Sequence, residues 1–84
     1  MAVVGREFPS DIIIHAPQIS ARHAEIRHLE EDRYVIRDLD SRNGTYVNGV
    51  RIQGEVTIRL SDEVKLGSYE LDLGHYGHLI PVAG

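Results

Sequence analysis

The chain has no cysteine, which excludes a disulfide framework, a thiol nucleophile and a cysteine zinc site. It has no apolar run near the roughly 20 residues that a bilayer-spanning helix requires. Its first residues, Met1-Ala2-Val3-Val4-Gly5, lack the charged and apolar regions of a secretory signal. Cytoplasm is therefore the expected compartment, with no membrane partner. Lysine is nearly missing: Lys65 stands alone beside eight arginines. Nine bases face thirteen acids, for a net charge of −4. That balance argues against non-specific nucleic-acid binding, which needs a basic face. No stretch holds a helical period over three turns, which sets a helical fold aside. What remains is one small domain of 84 residues with a thin core.

The pattern that is present is all-β. Short apolar runs alternate with turn formers about every 8–12 residues, the spacing of a sandwich or barrel. Ala2–Gly5 reads as a short strand, and Glu7-Phe8-Pro9-Ser10 as a turn. Asp11–His15 carries three consecutive isoleucines, which suits a strand buried on both faces or covered at one end. Pro17 makes Ala16–Ser20 a loop. His23–Leu29 and Arg33–Leu39 are strands around an acidic tip, Glu30-Glu31-Asp32. In the second, Tyr34 and Ile36 share one face, and Val35, Arg37 and Leu39 the other. Asn48-Gly49 between Tyr46-Val47 and Val50-Arg51 predicts a tight hairpin whose two turn residues both take positive φ. Val56, Ile58 and Leu60 alternate, Ser61-Asp62-Glu63 turns the chain into Val64–Leu66, and Tyr69, Leu71 and Leu73 alternate again. Residues 1–74 thus read as one β domain, and His75–Gly84 as a loosely held tail or the start of a linker.

The charges are unevenly placed. Acids cluster at Glu30-Glu31-Asp32, Asp38/Asp40 and Asp62-Glu63, whereas Arg6, Arg22 and Arg42 adjoin turn segments. Arginine is the better fork for planar, bidentate recognition of an anion. Three segments carry this chemistry: Gly5-Arg6 at a strand end, Ser20-Ala21-Arg22-His23, and Ser41-Arg42-Asn43-Gly44-Thr45 followed by Val47-Asn48-Gly49. Taken one at a time, an Arg after Gly is a solvated strand end, a loop Ser is a cap, and Asn48-Gly49 is a turn. Taken jointly, Arg6, Ser20 and Asn43 are hard to ascribe to coincidence.

In order and spacing, GR, SxxH and NGTxxNG resemble the forkhead-associated (FHA) domain, a family that reads phosphothreonine peptides with arginine clusters. Gly67 after Val64-Lys65-Leu66 is similar to that family's late LG signature, and the resemblance runs from about Val3 to Leu73. It implies an eleven-stranded FHA-like (SMAD/FHA) β-sandwich whose loops at one end hold the peptide, the place where rigid sandwiches put binding groups. A phosphate dianion there needs donors and positive charge without acidic neighbours. The resemblance assigns Arg6, Ser20 and Arg42 to the phosphate, with Arg22 adding charge. It assigns Asn43 to the peptide main chain and Gln18 to a neighbouring peptide side chain. Ala21 stands where the family often has a polar or basic contact. Gly5, His23, Gly44, Thr45, Asn48 and Gly49 fall to structural support, His23 as a brace and not a base. No cofactor or metal is implied.

Other readings have less behind them. Ser20, His23 and a nearby Asp suggest a hydrolase triad, but no GxSxG elbow accompanies them. His75-x-x-His78 has a chelate spacing without a carboxylate cluster or HExxH to support it. Asn43-Gly44-Thr45 matches a glycosylation acceptor by chance in a cytoplasmic chain. The main alternative is a phosphate-independent FHA scaffold. The family usually has a strand ahead of the GR strand, and here four residues precede Gly5. Either the chain is trimmed or a sheet edge is unpaired. Such an edge would be filled by the tail segment Leu79–Val82, by a swapped copy in a homodimer, or by a partner.

Overall fold

The computed structural model describes residues 1–82. Nine strands form two sheets: β1 (Ala2–Gly5), β2 (Ile12–Ile13), β3 (Ala24–Glu30), β4 (Arg33–Asp38), β5 (Thr45–Val47), β6 (Val50–Arg51), β7 (Glu55–Arg59), β8 (Val64–Leu66) and β9 (Tyr69–Glu70). The larger sheet runs β2-β1-β3-β4-β7 and the smaller β6-β5-β8-β9. Nine strands, not eleven, are present among the described residues: β1 runs directly into the Gly-Arg motif, and the chain leaves strand geometry after Glu70.

The strands form where apolar residues alternate. On β3 and β4, Ala24, Ile26, Tyr34 and Ile36 enter the core, with Val4, Ile12, Ile19, Ile58, Val64, Leu66 and Leu71. The register Ile26↔Ile36↔Val56 and His28↔Tyr34↔Ile58 keeps this apolar set on one face. The hairpin at Asn48-Gly49 has φ of 51° and 82°, the mirror-image turn whose twist matches its strands.

Four expectations need correction. Ile13 is exposed while Ile12 and Ile14 are buried, because β2 is an edge strand with one covered face. Leu60 is exposed: β7 ends at Arg59, and Leu60, its N–H bonded to the opposing Asp32 carbonyl, lies at the exposed tip of the sheet beyond the core. Leu73 does not extend the Tyr69–Leu71 alternation. Asp72 accepts from the His75 N–H and caps a helical turn, α1 (Leu73–Tyr76), followed by a 3-10 turn at Gly77–Leu79. The segment from His75 is not loosely held as far as Val82. Ile80 is buried, and Val82 forms a parallel bridge with His28. Ala83 and Gly84, the last two residues of the expected tail, lie outside the described residues.

The expected open edge beside the Gly-Arg strand is also filled, and by the domain itself. β1 pairs with β3 on one side and in parallel with β2 on the other, Val4↔Ile12 and Gly5↔Ile13. The Val82 bridge falls on β3 just past the end of β1. Among the described residues no helix is long and apolar enough to cross a membrane.

Candidate functional site

The turns after β1, before β3 and after β4 meet at one end of the sandwich, and short hydrogen bonds fix their spacing. Gly5 is buried at the end of β1, where a Cβ would lie 2.0 Å from the Ala21 carbonyl oxygen and 2.3 Å from Ser10 Oγ. Only glycine permits this approach. It lets the Arg6 N–H reach the Ser20 carbonyl at 3.0 Å, which sets Arg6 beside Ser20. Ser20 Oγ in turn accepts from the Arg42 N–H at 2.9 Å. That bond occupies the hydroxyl as an acceptor and leaves its proton for an outside oxygen.

His23 is fully buried and holds the second turn to the third. Its Nδ1 accepts from the Ser20 N–H at 3.1 Å, and its Nε2 lies 2.9 Å from the Gly44 carbonyl. A carbonyl can only accept, so the ring is neutral with its proton on Nε2. Burial lowers its pKa, against smaller opposing effects from the Gly44 bond and the Asp38 charge.

The loop after β4 is organised by Asp38 and Ser41, two residues to which the sequence reading gave no role. Asp38 accepts from Ser41 Oγ at 2.5 Å, from the Ser41 N–H at 3.0 Å and from Thr45 Oγ1 at 2.6 Å. Ser41 Oγ accepts from the Gly44 N–H. Burial by itself would raise the Asp38 carboxyl, but the bonds from Ser41 and Thr45 outweigh it and hold it below its ordinary value. The sequence signal was present in retrospect: an Asp followed three positions on by Ser is a common local bridge to backbone N–H. Asn48 is set apart from this loop. It ties the β5–β6 hairpin to the β7–β8 turn, with Nδ2 on Asp62 and Oδ1 accepting from the Glu63 N–H.

Together these bonds bring Arg6, Gln18, Ser20, Arg42 and Asn43 around one pocket of about 180 Å³. No acidic residue lines it. Asn43 donates from Nδ2 to the Gln18 carbonyl at 2.8 Å, which keeps Oδ1 available. Arg22 is exposed nearby but outside the lining, and Asn48 and Gly49 lie away from it. Arg6, Arg22 and Arg42 form no ion pair among the described residues. Chemically the pocket offers converging N–H and O–H donors with unneutralised positive charge, suited to a dianion with several acceptor oxygens. No group of three or more histidine and carboxylate side chains gathers among the described residues to hold a metal.

Comparison with known proteins gives the family and the fold. A family model described as the FHA domain matches residues 2–67. The glycogen accumulation regulator GarA of Mycobacterium tuberculosis is 40% identical over 67 residues, which are 80% of this chain and 40% of GarA. The chain thus spans well under two thirds of that relative. An FHA domain of the CT664 protein from Chlamydia trachomatis superposes with a TM-score of 0.74 at 32% identity, over 80% of this chain and 68% of that one. Mycobacterium tuberculosis EmbR, in complex with a low-affinity phosphopeptide, gives a TM-score of 0.72 at 33% identity, covering 82% of this chain and 18% of EmbR.

Proposed function

This chain belongs to the FHA domain family, and on that footing we propose that it is a phosphothreonine-dependent protein-interaction module with no catalytic step of its own. The observation that carries this reading is the convergence of Arg6, Ser20 and Arg42 on a pocket that no acid lines. Arg6 supplies a charge-assisted contact to the phosphate, and Ser20 donates the hydroxyl proton that its bond from Arg42 leaves free. Arg42 adds charge from across the pocket, and exposed Arg22 adds a weaker, more screened attraction. Asn43, anchored on Gln18, presents Oδ1 to a peptide N–H, and the neutral Gln18 amide meets a flanking side chain. At Ala21, where a polar side chain would help, only the backbone is available. Affinity therefore rests on the arginines.

The test is titration of a degenerate phosphothreonine peptide library, with phosphoserine and unphosphorylated controls, on wild type and Arg6→Ala. Binding of the phosphothreonine pool alone, lost in Arg6→Ala, is the expected result. Binding without phosphate dependence, or untouched by Arg6→Ala, would move the function to the phosphate-independent scaffold.

A further inference from the structure

The end of the sandwich opposite the phosphate pocket carries an apolar cavity of about 380 Å³. Tyr34 and Leu60 line it from the larger sheet and its tip, and Leu73, Ile80 and Val82 from the segment that follows β9. Tyr34 is only 4% exposed, and its hydroxyl has no hydrogen-bond partner among the described residues. No fully enclosed side-chain polar atom lacks a partner, so this hydroxyl opens into the cavity. Gly77 keeps the space beside it. Its φ of −55° suits any residue, but a Cβ there would lie 3.0 Å from the Tyr34 hydroxyl oxygen. The His28 ring stacks on Tyr34 with centroids 4.3 Å apart and extends an aromatic wall along the cavity.

Acids surround this cavity. The tip Glu30-Glu31-Asp32 adjoins it, since the Asp32 carbonyl accepts from the Leu60 N–H and the Glu31 carbonyl lies 2.5 Å from His28 Nε2. A neighbouring space of about 370 Å³ shares Leu60 and Leu73 with it and is lined by Asp62, Glu63, Glu70 and Asp72 without any base. Arg33 and Arg59 pair with Glu30 and Asp32, and Lys65 stands across from Glu70. Glu31, Asp62, Glu63 and Asp72 form no ion pair among the described residues. This end is therefore apolar at its centre and negative around it.

The loop end has the opposite character. Phe8 is 85% exposed, more than any other large apolar side chain among the described residues. Ser10 braces its turn, donating from its N–H to the Glu7 carbonyl at 3.1 Å and from Oγ to the Ala21 carbonyl at 3.0 Å. A single exposed apolar side chain is ordinary. This one stands on a fixed turn at the end that carries Arg6, Arg22 and Arg42, none of them in an ion pair among the described residues. Glu7 and Asp40 are exposed there and offset part of that charge. We propose that the two ends fit each other, so that a second copy of this chain docks its Phe8 turn into the cavity at Tyr34. The ring packs on the Tyr34–His28 stack and the exposed rim of Leu60 and Val82. The Phe8 carbonyl, which accepts no hydrogen bond among the described residues, takes the Tyr34 hydroxyl proton. The arginines of one copy face the acids of the next, which sets the orientation. The two surfaces differ, so the contact is heterologous and association continues head to tail. It requires no phosphate group and goes beyond the phosphopeptide reading without resting on it.

The test is light scattering from micromolar to millimolar concentration on wild type, Phe8→Ser, Leu60→Lys and an equimolar mixture of the two variants. Both substitutions fall on exposed side chains, and urea midpoints matching wild type show that each variant folds. Wild type gains apparent mass with concentration. Phe8→Ser lacks the anchor and Leu60→Lys lacks the apolar rim, so in each the association constant falls at least about tenfold. The mixture recovers association and stops at a pair, because each variant keeps the surface that the other has lost. A wild type that stays monomeric, association that survives either substitution, or a mixture of folded variants that fails to recover overturns the proposal. Each of these results leaves phosphothreonine binding to the peptide titration above.

Discussion

The outer face of the larger sheet and the loop end of the sandwich use the same residue type in opposite ways. On the sheet face and its tip, Arg27 pairs with Glu55, Arg33 with Glu30, Arg37 with Glu25 and Arg59 with Asp32. At the loop end and on the smaller sheet beside it, Arg6, Arg22, Arg42, Arg51 and Lys65 have no such partner among the described residues. Arg51 belongs to this second group by position, since its Nε lies 2.7 Å from where a Cβ on Gly44 would sit. No acid lines the pocket of Arg6, Ser20 and Arg42, whereas Glu63 and Glu70 lie near Lys65. A net charge of −4 therefore conceals a local basic end, and the arrangement of charge decides function where its sum does not.

The most severe way to break this contrast is Gly5→Ala. Its methyl group would meet the backbone of Ala21 and the hydroxyl of Ser10, neither of which can move without opening the loop end. We expect a loss of about 3 kcal/mol in urea unfolding. Wild-type stability in that variant would show that the turn before β3 is free to shift. Next in size is Arg6→Ala, expected to weaken phosphothreonine-peptide binding by about 1.5–3 kcal/mol, the range for a charge-assisted hydrogen bond, at an unchanged urea midpoint. Arg37→Ala is its control on the other region. It removes an equally charged side chain and leaves peptide affinity where it was. Equal effects from the two arginines would reduce the contrast to a general attraction for net positive charge.

Acid sharpens the contrast further. The pKa of His23 is depressed in the folded protein, so its contribution to stability is complete above the ordinary value of 6.5 and is lost as pH falls through the folded value. Protonation would place a second donor against the Ser20 N–H and part the turns that hold Arg6 and Arg42. Asp38, also depressed, adds its loss only as pH falls below its ordinary 3.8. Urea midpoints of the peptide-free protein between pH 7.5 and 5 should therefore fall, and the imidazole nitrogen resonances of His23 should report a neutral ring protonated at Nε2. A ring protonated at Nδ1 would contradict the brace.

The parts of the molecule that were legible in the sequence are those governed by local rules. Asn48-Gly49 could be placed because only a mirror-image turn needs two residues of positive φ, and the Tyr34/Ile36 alternation because one sheet face is buried. Arg6, Ser20 and Asn43 could be grouped because their motifs come in order along the chain. Of the Asp38–Ser41–Thr45 network only Thr45 was given a supporting role; Asp38 and Ser41 went unassigned because each, seen alone, is an ordinary polar residue near a turn. A strand was expected at Asp11–His15, but its place beside β1 was missed because parallel pairing between two short segments leaves no turn signature. The helical turn at Leu73 was missed because Leu71 and Leu73 satisfy a two-residue period as well as the start of a capped turn. Docking of Ile80 depends on an apolar surface assembled from distant residues, including Tyr34 and Leu73, that no local window contains.

The smallest expected effect probes the region that is already satisfied. Arg27 and Glu55 lie 3.4 Å apart on opposite sides of β4, and both are substantially exposed. An exposed ion pair gives up hydration and side-chain freedom for little net gain. A double-mutant cycle with Arg27→Met and Glu55→Gln should yield a coupling below about 1 kcal/mol that shrinks further in 1 M salt, where the screening length is roughly 3 Å. Phosphopeptide affinity should weaken over the same salt range in wild type and in Glu55→Gln alike, because the pocket draws no charge from this face. If Glu55→Gln instead changed peptide affinity or its salt slope, the field at the loop end would extend through the sheet. The two regions would then be one electrostatic unit. The separation of paired from unpaired arginines predicts that they act independently.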